Sequence, residues 1–286
     1  MNRKKKGKFQ KSQFKAAEPE EKRRLPEKGR AEKKRFPGSG NYIFGVLPVT
    51  EALRAANRRV EKIFIGEGVK PGRISEMMRL IRQKGIAFQK NSRQELEEMV
   101  GPSANHQGIV ALTSAAEYYP AEILLEEVFS GSKPLILILD GVEDPRNLGA
   151  ILRVAECSGV DGVFIPERRA VGLNETVVKS SAGASEYVKV AKVTNLNRLI
   201  DELKENNIWV IGASGEAEMN HTGWDWTQPT ALVLGGEGSG LHRLTAEKCD
   251  ALVKIPLKGR IESLNVSVAA GVILFEAVRQ RESAEF

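Results

Sequence analysis

Cysteine and histidine are scarce in this chain. Among 286 residues there are two cysteines, Cys157 and Cys249, and three histidines, His106, His221 and His242. None of them falls at metal-ligand spacing, so no zinc or iron–sulfur centre is expected. Two isolated thiols fit a reducing compartment rather than a disulfide framework. No apolar run reaches the roughly 18 residues that a membrane span needs. The charged N-terminus also lacks the apolar stretch of a secretory signal. A cytoplasmic protein with no membrane partner is therefore expected. The G-x-S-x-G elbow of serine hydrolases is missing as well.

What is present is ordinary globular composition, with 41% hydrophobic and 28% charged residues, and an uneven charge distribution. Residues 1–40 carry 15 Lys/Arg against 5 Glu, a balance of +10, while the remainder carries 28 against 32, a balance of −4. This first segment has few apolar residues and no periodicity, which predicts a disordered basic tail. Such a tail suits a polyanion such as RNA, and an acidic membrane surface would attract it too.

Beyond the tail, strand and helix patterns alternate. Over 41–114 they comprise a helix over 48–57 with Thr50 as its cap, a strand "VEKIFIG", a helix closed by Gly85, a strand "IAFQK", a helix opened by a Ser92/Glu95 capping box, and a strand "GIVAL". This is a small α/β domain. Residues 115–132 read as a linker with a short helix. A second alternating series fills 133–286, beginning with the unbroken apolar strand "PLILILD" typical of a parallel sheet buried on both faces. It continues through "DGVFIP", "YVKVAKV", "IWVIGAS", "TALVLGG" and "ALVKIPL" to a long apolar helix over 263–280. Leu196, Leu199, Ile200 and Leu203 mark one face of an intervening helix.

In an open α/β sheet, ligands bind beyond the carboxyl ends of the strands. The unusual stretches of the second domain all fall there: "GVEDPRNLGAILR", "ASGE", "GGEGSGL" and "PLKGRIESLNVSV". The glycine cluster at 235–241 is not a dinucleotide fingerprint. It follows the next-to-last strand rather than the first, and Glu237 sits inside it. Asn147 is expected to cap its helix. Arg153, six residues on, lies off the Asn147 face and reads either as a solvated charge or as a functional one. Ser263, Asn265 and Ser267 alternate at the mouth of the last helix, with Ser267 expected to serve the helix start. The residues alone thus indicate an α/β domain with a small-molecule site at the sheet's carboxyl edge in an RNA-binding protein.

Three stretches in order, "DPRNLGAILRVAECSGV", "LVLGGEGSGL" and "IPLKGRIESLNVSVAAGVILFE", resemble the SpoU–TrmH family of RNA ribose 2'-O-methyltransferases. The front domain, with "YIFGVLPVTEAL" and "NHQGIVA", looks like the substrate-binding domain of the branch that methylates a guanosine in large-subunit (23S) ribosomal RNA. The resemblance implies a trefoil-knotted SPOUT methyltransferase domain with a parallel sheet, preceded by an L30e/L7Ae-like RNA-binding domain. It implies S-adenosylmethionine as cofactor, ribosomal RNA as substrate, and a homodimer. It assigns catalytic roles to Asn147, Arg153, Glu237, Ser263 and Asn265, and cofactor contacts to Gly212, Ala213, Ser214, Gly235, Ile255 and Leu264. Competing readings are a relative acting on another ribosomal RNA site or on tRNA, an RNA-binding assembly factor without catalysis, and a nucleotide-dependent oxidoreductase.

Overall fold

The computed structural model describes residues 41–55 and 57–284; the tail expected over 1–40 lies outside the described residues. The front part contains β1 (Asn41–Phe44), α1 (Val46–Ala55), β2 (Val60–Gly66), α2 (Ser75–Lys84), β3 (Ala87–Asn91), α3 (Arg93–Val100) and β4 (Ile109–Thr113). Its sheet runs β1-β4-β2-β3, antiparallel except for the parallel β2/β3 pair. The Ser92/Glu95 capping box forms, and Gly85 closes α2 in the left-handed conformation. The first helix differs from expectation. Gly45, at φ +100°, turns the chain so that α1 starts at Val46, and the Thr50 hydroxyl donates back to the Val46 carbonyl at 2.7 Å. Thr50 is therefore an interior helix residue and not a cap. The edge strand β1 was missed because its four residues show no decisive alternation.

After α4 (Ala121–Ser130) the second part contains β5 (Leu135–Asp140), α5 (Pro145–Cys157), β6 (Gly162–Pro166), α6 (Glu175–Ser180), β7 (Val190–Val193), α7 (Leu196–Glu205), β8 (Trp209–Ala213), β9 (Met219–Asn220), β10 (Thr230–Gly235), α8 (Arg243–Lys248), β11 (Ala251–Lys254) and α9 (Val266–Ser283). Every pairing in its seven-stranded sheet is parallel, in the order β7-β6-β5-β10-β8-β11-β9. All six residues of β5 are buried, as the apolar run requires. One face of the sheet packs on α5 and α9 through Ile151, Leu152, Ala270, Ile273 and Leu274. The other packs on α4 and α7 through Leu124, Val128, Leu199 and Leu203.

The last helix begins at Val266, not Ser263, and continues to Ser283. Its 18 residues span about 27 Å at 1.5 Å per residue. Arg281 anchors its far end, donating through Nε to Trp226 O and through Nη1 to Lys133 O, both at 2.9 Å, with longer bonds from Nη2 to Pro134 O and Gln228 O. Lys133 and Pro134 lead into the amino end of β5. The start of α9 is thereby directed to the opposite, carboxyl edge of the sheet.

The two parts are packed together. Val178 of α6 belongs to the apolar core of the front part. Arg58 and Glu186 form a buried ion pair, with side chains 6% and 1% exposed. Arg58 Nε donates to Oε2 at 2.9 Å, and Nη2 lies 2.7 Å from Oε1 without the alignment of a directional bond. Burial pushes the Glu186 carboxyl up, and the adjacent guanidinium opposes that shift. Tyr187 donates its hydroxyl to Glu51 at 2.6 Å across the same contact. Removing the cation leaves a buried carboxylate alone, a change that costs about 3–5 kcal/mol. Arg58→Met is expected to lose that amount in urea unfolding, and adding Glu186→Leu to restore most of it. Wild-type stability of the single variant would contradict the pairing.

Candidate active site

The parallel registers place several loops side by side. Gly235 at the end of β10 pairs with Asp140 at the end of β5, Val233 with Gly212 of β8, and Ala213 with Val253 of β11. The Ser214 N–H continues this alignment, donating to Val253 O at 2.9 Å.

At this edge three distant segments meet on one side chain. Asn147 donates through Nδ2 to Glu237 Oε1 and accepts at Oδ1 from Asn265 Nδ2 at 3.0 Å. Asn265 in turn caps α9, its Oδ1 accepting the Ser267 N–H at 2.9 Å and the Ser267 hydroxyl at 2.6 Å. Ser267 thus serves the helix start, as expected. Asn147 does not cap α5. Asp144 does so, accepting the Arg146 N–H at 2.7 Å, with Pro145 at the first helical position. Asn147 lies within the first turn, its amide free to point outward.

Two predicted residues stand apart from this cluster. Arg153 is exposed on α5, rotated by roughly 120° from Asn147 at 100° per residue. Ser263 is exposed in the loop before α9 and makes no hydrogen bond among the described residues.

The glycine loop after β10 is held by a residue that the motif reading passed over. Asp140, 5% exposed, accepts the Gly236 N–H at its carbonyl, the His242 N–H at Oδ2 and the His242 ring nitrogen Nδ1 at Oδ1, each at 2.9 Å. Both ends of the loop carrying Glu237 are therefore tied to the tip of β5. A Cβ on Gly235 would collide with the main chain of Gly240, and one on Gly236 with the Gly141 carbonyl. The signal was in the sequence: an acid ending a fully apolar strand needs buried partners.

Gly212, Ala213, Ser214, Gly235 and Ile255 lie at the ends of the three adjacent strands β8, β10 and β11 or just beyond. Leu264 is next to Asn265 and is 41% exposed, alongside exposed Leu257 and Ile261 in the same loop. The Glu262 carbonyl lies 3.8 Å from a Cβ placed on Gly215, so this loop folds back over the end of β8. Residues 257–264 make no main-chain hydrogen bond among the described residues. Free main-chain groups, exposed apolar side chains and closely packed glycines fit an adenosine-bearing ligand held mainly by backbone.

Residues 134–275 match the SpoU rRNA Methylase family, and residues 42–119 match the RNA 2'-O ribose methyltransferase substrate binding family. The 23S rRNA (guanosine-2'-O-)-methyltransferase RlmB of Escherichia coli is 43% identical over 239 residues, covering 84% of this chain and 98% of that one. The enzyme of the same name from Xanthomonas campestris is 46% identical over 245 residues, covering 85% and 98%. The crystal structure of the SpoU methyltransferase AviRb from Streptomyces viridochromogenes with the cofactor AdoMet superposes with a TM-score of 0.71 at 25% identity, covering 85% of this chain and 90% of that one. The fold and its glycine-lined carboxyl edge are those of a SPOUT-class methyltransferase. The chain belongs to the SpoU rRNA methylase family, whose methyl donor is S-adenosylmethionine.

Asp140→Ala removes both side-chain tethers of the glycine loop and strands the His242 N–H, a loss of about 1–3 kcal/mol. The expected result is a folded protein whose kcat/KM for methyl transfer falls roughly tenfold or more, one decade per 1.4 kcal/mol of lost transition-state stabilisation. A wild-type kcat/KM would show that the tether is dispensable.

Proposed function

We propose that this protein methylates the ribose 2'-hydroxyl of a guanosine in 23S ribosomal RNA. The observation that carries this reading is the meeting of Glu237, Asn147 and Asn265 beside a cofactor-compatible edge, in a chain that matches its 23S-directed relatives over nearly their whole length. S-adenosylmethionine, when bound, supplies an electrophilic methyl group on a positively charged sulfur. Gly212, Ala213, Ser214, Gly235, Ile255 and Leu264 are the residues that hold it.

The chain's own groups then have three tasks: to hold the hydroxyl at attacking distance, to let its proton leave, and to stabilise the oxygen as charge develops. Glu237 and Asn147 fix each other's orientation and present carboxylate and amide groups to the ribose. The Ser263 hydroxyl, two residues before Asn265, adds a donor from the exposed loop that precedes α9. Arg153 carries five N–H donors and no acceptor on its guanidinium, so it serves as a cation toward RNA phosphate or the 2'-oxygen and not as a base. The proton passes to water or a phosphate oxygen.

The division of labour follows the chain: a basic tail over 1–40, an L30e/L7Ae-like RNA-binding domain over 41–114, a linker over 115–132 and a knotted methyltransferase domain over 133–286. A homodimer belongs to the same reading. Val268, Val272 and Phe275, at i, i+4 and i+7 on α9, are 50%, 37% and 49% exposed, an apolar stripe suited to a second copy. Residence in the cytoplasm accords with the two free thiols and with the lack, among the described residues, of any helix long and apolar enough to cross a membrane.

The test is incubation of the purified protein with unmodified 23S rRNA and labelled S-adenosylmethionine, followed by mapping of methylated riboses. Label on one guanosine is expected. Transfer confined to tRNA would overturn the substrate, and transfer to no RNA would overturn the activity. Light scattering should give twice the chain mass, and a monodisperse monomer at micromolar concentration would remove the dimer.

A further inference from the structure

The carboxyl edge of the large sheet has a second half. The proposed cofactor contacts fall at the ends of β8, β10 and β11, whereas the ends of β5, β6 and β7 open onto a separate cleft of about 280 Å³. Its walls are the loop after β6, the turn from β7 into α7, and His242 with Thr245 at the start of α8.

The charge of this cleft is one-sided. Arg168 and Arg169, in the loop after β6, are exposed and form no ion pair among the described residues. Their loop is pinned on both sides. The Glu167 N–H donates to Val193 O at 3.0 Å, and the Val171 N–H to Val142 O at 3.1 Å. Between these ties Arg169 is held at φ +58°, a left-handed conformation that a non-glycine residue rarely adopts. The one acid among the lining residues is Asp140, and both its carboxylate oxygens are engaged by His242.

Three polar groups of the lining have no partner among the described residues. His242 Nδ1 is bonded to Asp140, which leaves Nε2 free on a side chain that is 49% exposed. Thr245 is 2% exposed, and its hydroxyl bonds to nothing. Asn197 keeps a buried Oδ1 unpaired. Polar groups buried without partners are costly, so three of them around one cleft point to a ligand. Helix α7 adds the positive end of its dipole, although Asn195 Oδ1 already takes the N–H groups of Asn197 and Arg198.

We propose that this cleft seats one backbone phosphate of the RNA substrate, held by Arg168, Arg169 and His242, and thereby positions the strand that carries the reacting ribose. The proposal rests on the reading of the protein as an RNA methyltransferase. Guanidinium forks match phosphate oxygens in geometry. An anion at His242 Nε2 favours the imidazolium, whose other N–H donates to Asp140. The Thr245 hydroxyl is a neutral donor, and a ribose hydroxyl beside the phosphate supplies what Asn197 Oδ1 lacks.

Asp140 joins this cleft to the candidate active site. Its carbonyl holds the Gly236 N–H, just ahead of Glu237, while its carboxylate holds His242. Gly141 is the wall between the two. A Cβ there would sit 3.2 Å from His242 Cε1, and the Gly141 carbonyl fills the space that a Cβ on Gly236 would need. A phosphate against His242 is thus one residue's thickness from the base of the loop that presents Glu237. Arg168, Arg169 and His242 are positioning residues in this reading, and none of them touches the reacting atoms.

The test compares wild type, Arg168→Ala/Arg169→Ala in the cleft, Arg168→Lys/Arg169→Lys at the same positions, and Arg198→Ala/Arg243→Ala. The last pair removes equal charge from exposed positions on α7 and α8 outside the lining. Steady-state transfer to a 23S rRNA transcript, filter binding of that transcript over a salt series and calorimetry with S-adenosylmethionine are measured for each. The alanine cleft variant should raise the RNA Kd fivefold or more and reduce the log–log salt slope by roughly one. Its loss in kcat/KM should appear mainly in KM, with cofactor Kd within twofold of wild type, which also reports an intact fold. The lysine variant, with charge but no fork, should recover only part of the affinity. Inorganic phosphate should compete with RNA on wild type more than chloride does at equal ionic strength, and the alanine variant should lose that excess. RNA Kd and KM within twofold of wild type for the alanine cleft variant would overturn the proposal. An equal loss in the Arg198/Arg243 variant would replace it with a diffuse basic surface. Calorimetric binding of inorganic phosphate that leaves RNA affinity unchanged would make this a free-phosphate site and overturn the RNA assignment. If the wild-type protein methylates no RNA, the functional reading fails instead, and filter binding still decides whether the cleft holds an RNA phosphate.

Discussion

The hydrogen bonds on Asn147 are the constraint on which the rest of the site depends. One amide side chain joins residues from the starts of two helices and from a glycine loop, separated by 90 and 118 positions in sequence. Those bonds form only if three larger features are in place. The parallel pairing of β10 with β5 must bring Gly235 opposite Asp140. The loop carrying Glu237 must be tied down at both ends, which Asp140 does. Helix α9 must arrive at the carboxyl edge in the right position, and Arg281 fixes its opposite end to the strand starts.

The same economy extends to the front part. Helix α6 is shared: Val178 sits in the front core, while the Ser180 side chain packs against Gly149 of α5. The buried Arg58–Glu186 pair contributes little net stability by itself, because desolvation offsets its Coulomb attraction. Its effect is on docking, since a shift that separates the pair while keeping either side chain buried leaves an uncompensated charge.

Much of this was legible in the sequence, for physical reasons that differ by element. Uninterrupted apolar runs such as "LILILD" can be satisfied only between two helical layers, and the Ser92/Glu95 capping box left no competing local structure. The errors arose where two local solutions competed. Asp144–Pro145 outcompetes Asn147 as a cap, and Thr50 bonds backward within its helix instead of opening it. The start of α9 was set three residues too early because Ser263 and Asn265 are both acceptable caps by type, and only the tertiary bond to Asn147 selects Asn265. Which groups partner Asp140, and the sharing of α6, depend on which loops become neighbours in space, and periodicity carries no such information. The short edge strands β1 and β9 were missed for a related reason, since pairing rather than composition defines them.

The central claim is that Asn147 and Glu237 act as one unit despite their separation in the chain. A double-mutant cycle in kcat/KM for methyl transfer, using Asn147→Ala, Glu237→Ala and the combination, measures this directly. Residues that act as a unit are strongly non-additive, with coupling energies of about 0.5–3 kcal/mol. The account predicts that the double variant loses little more activity than the worse single variant. Losses that multiply, with no coupling energy, would contradict it.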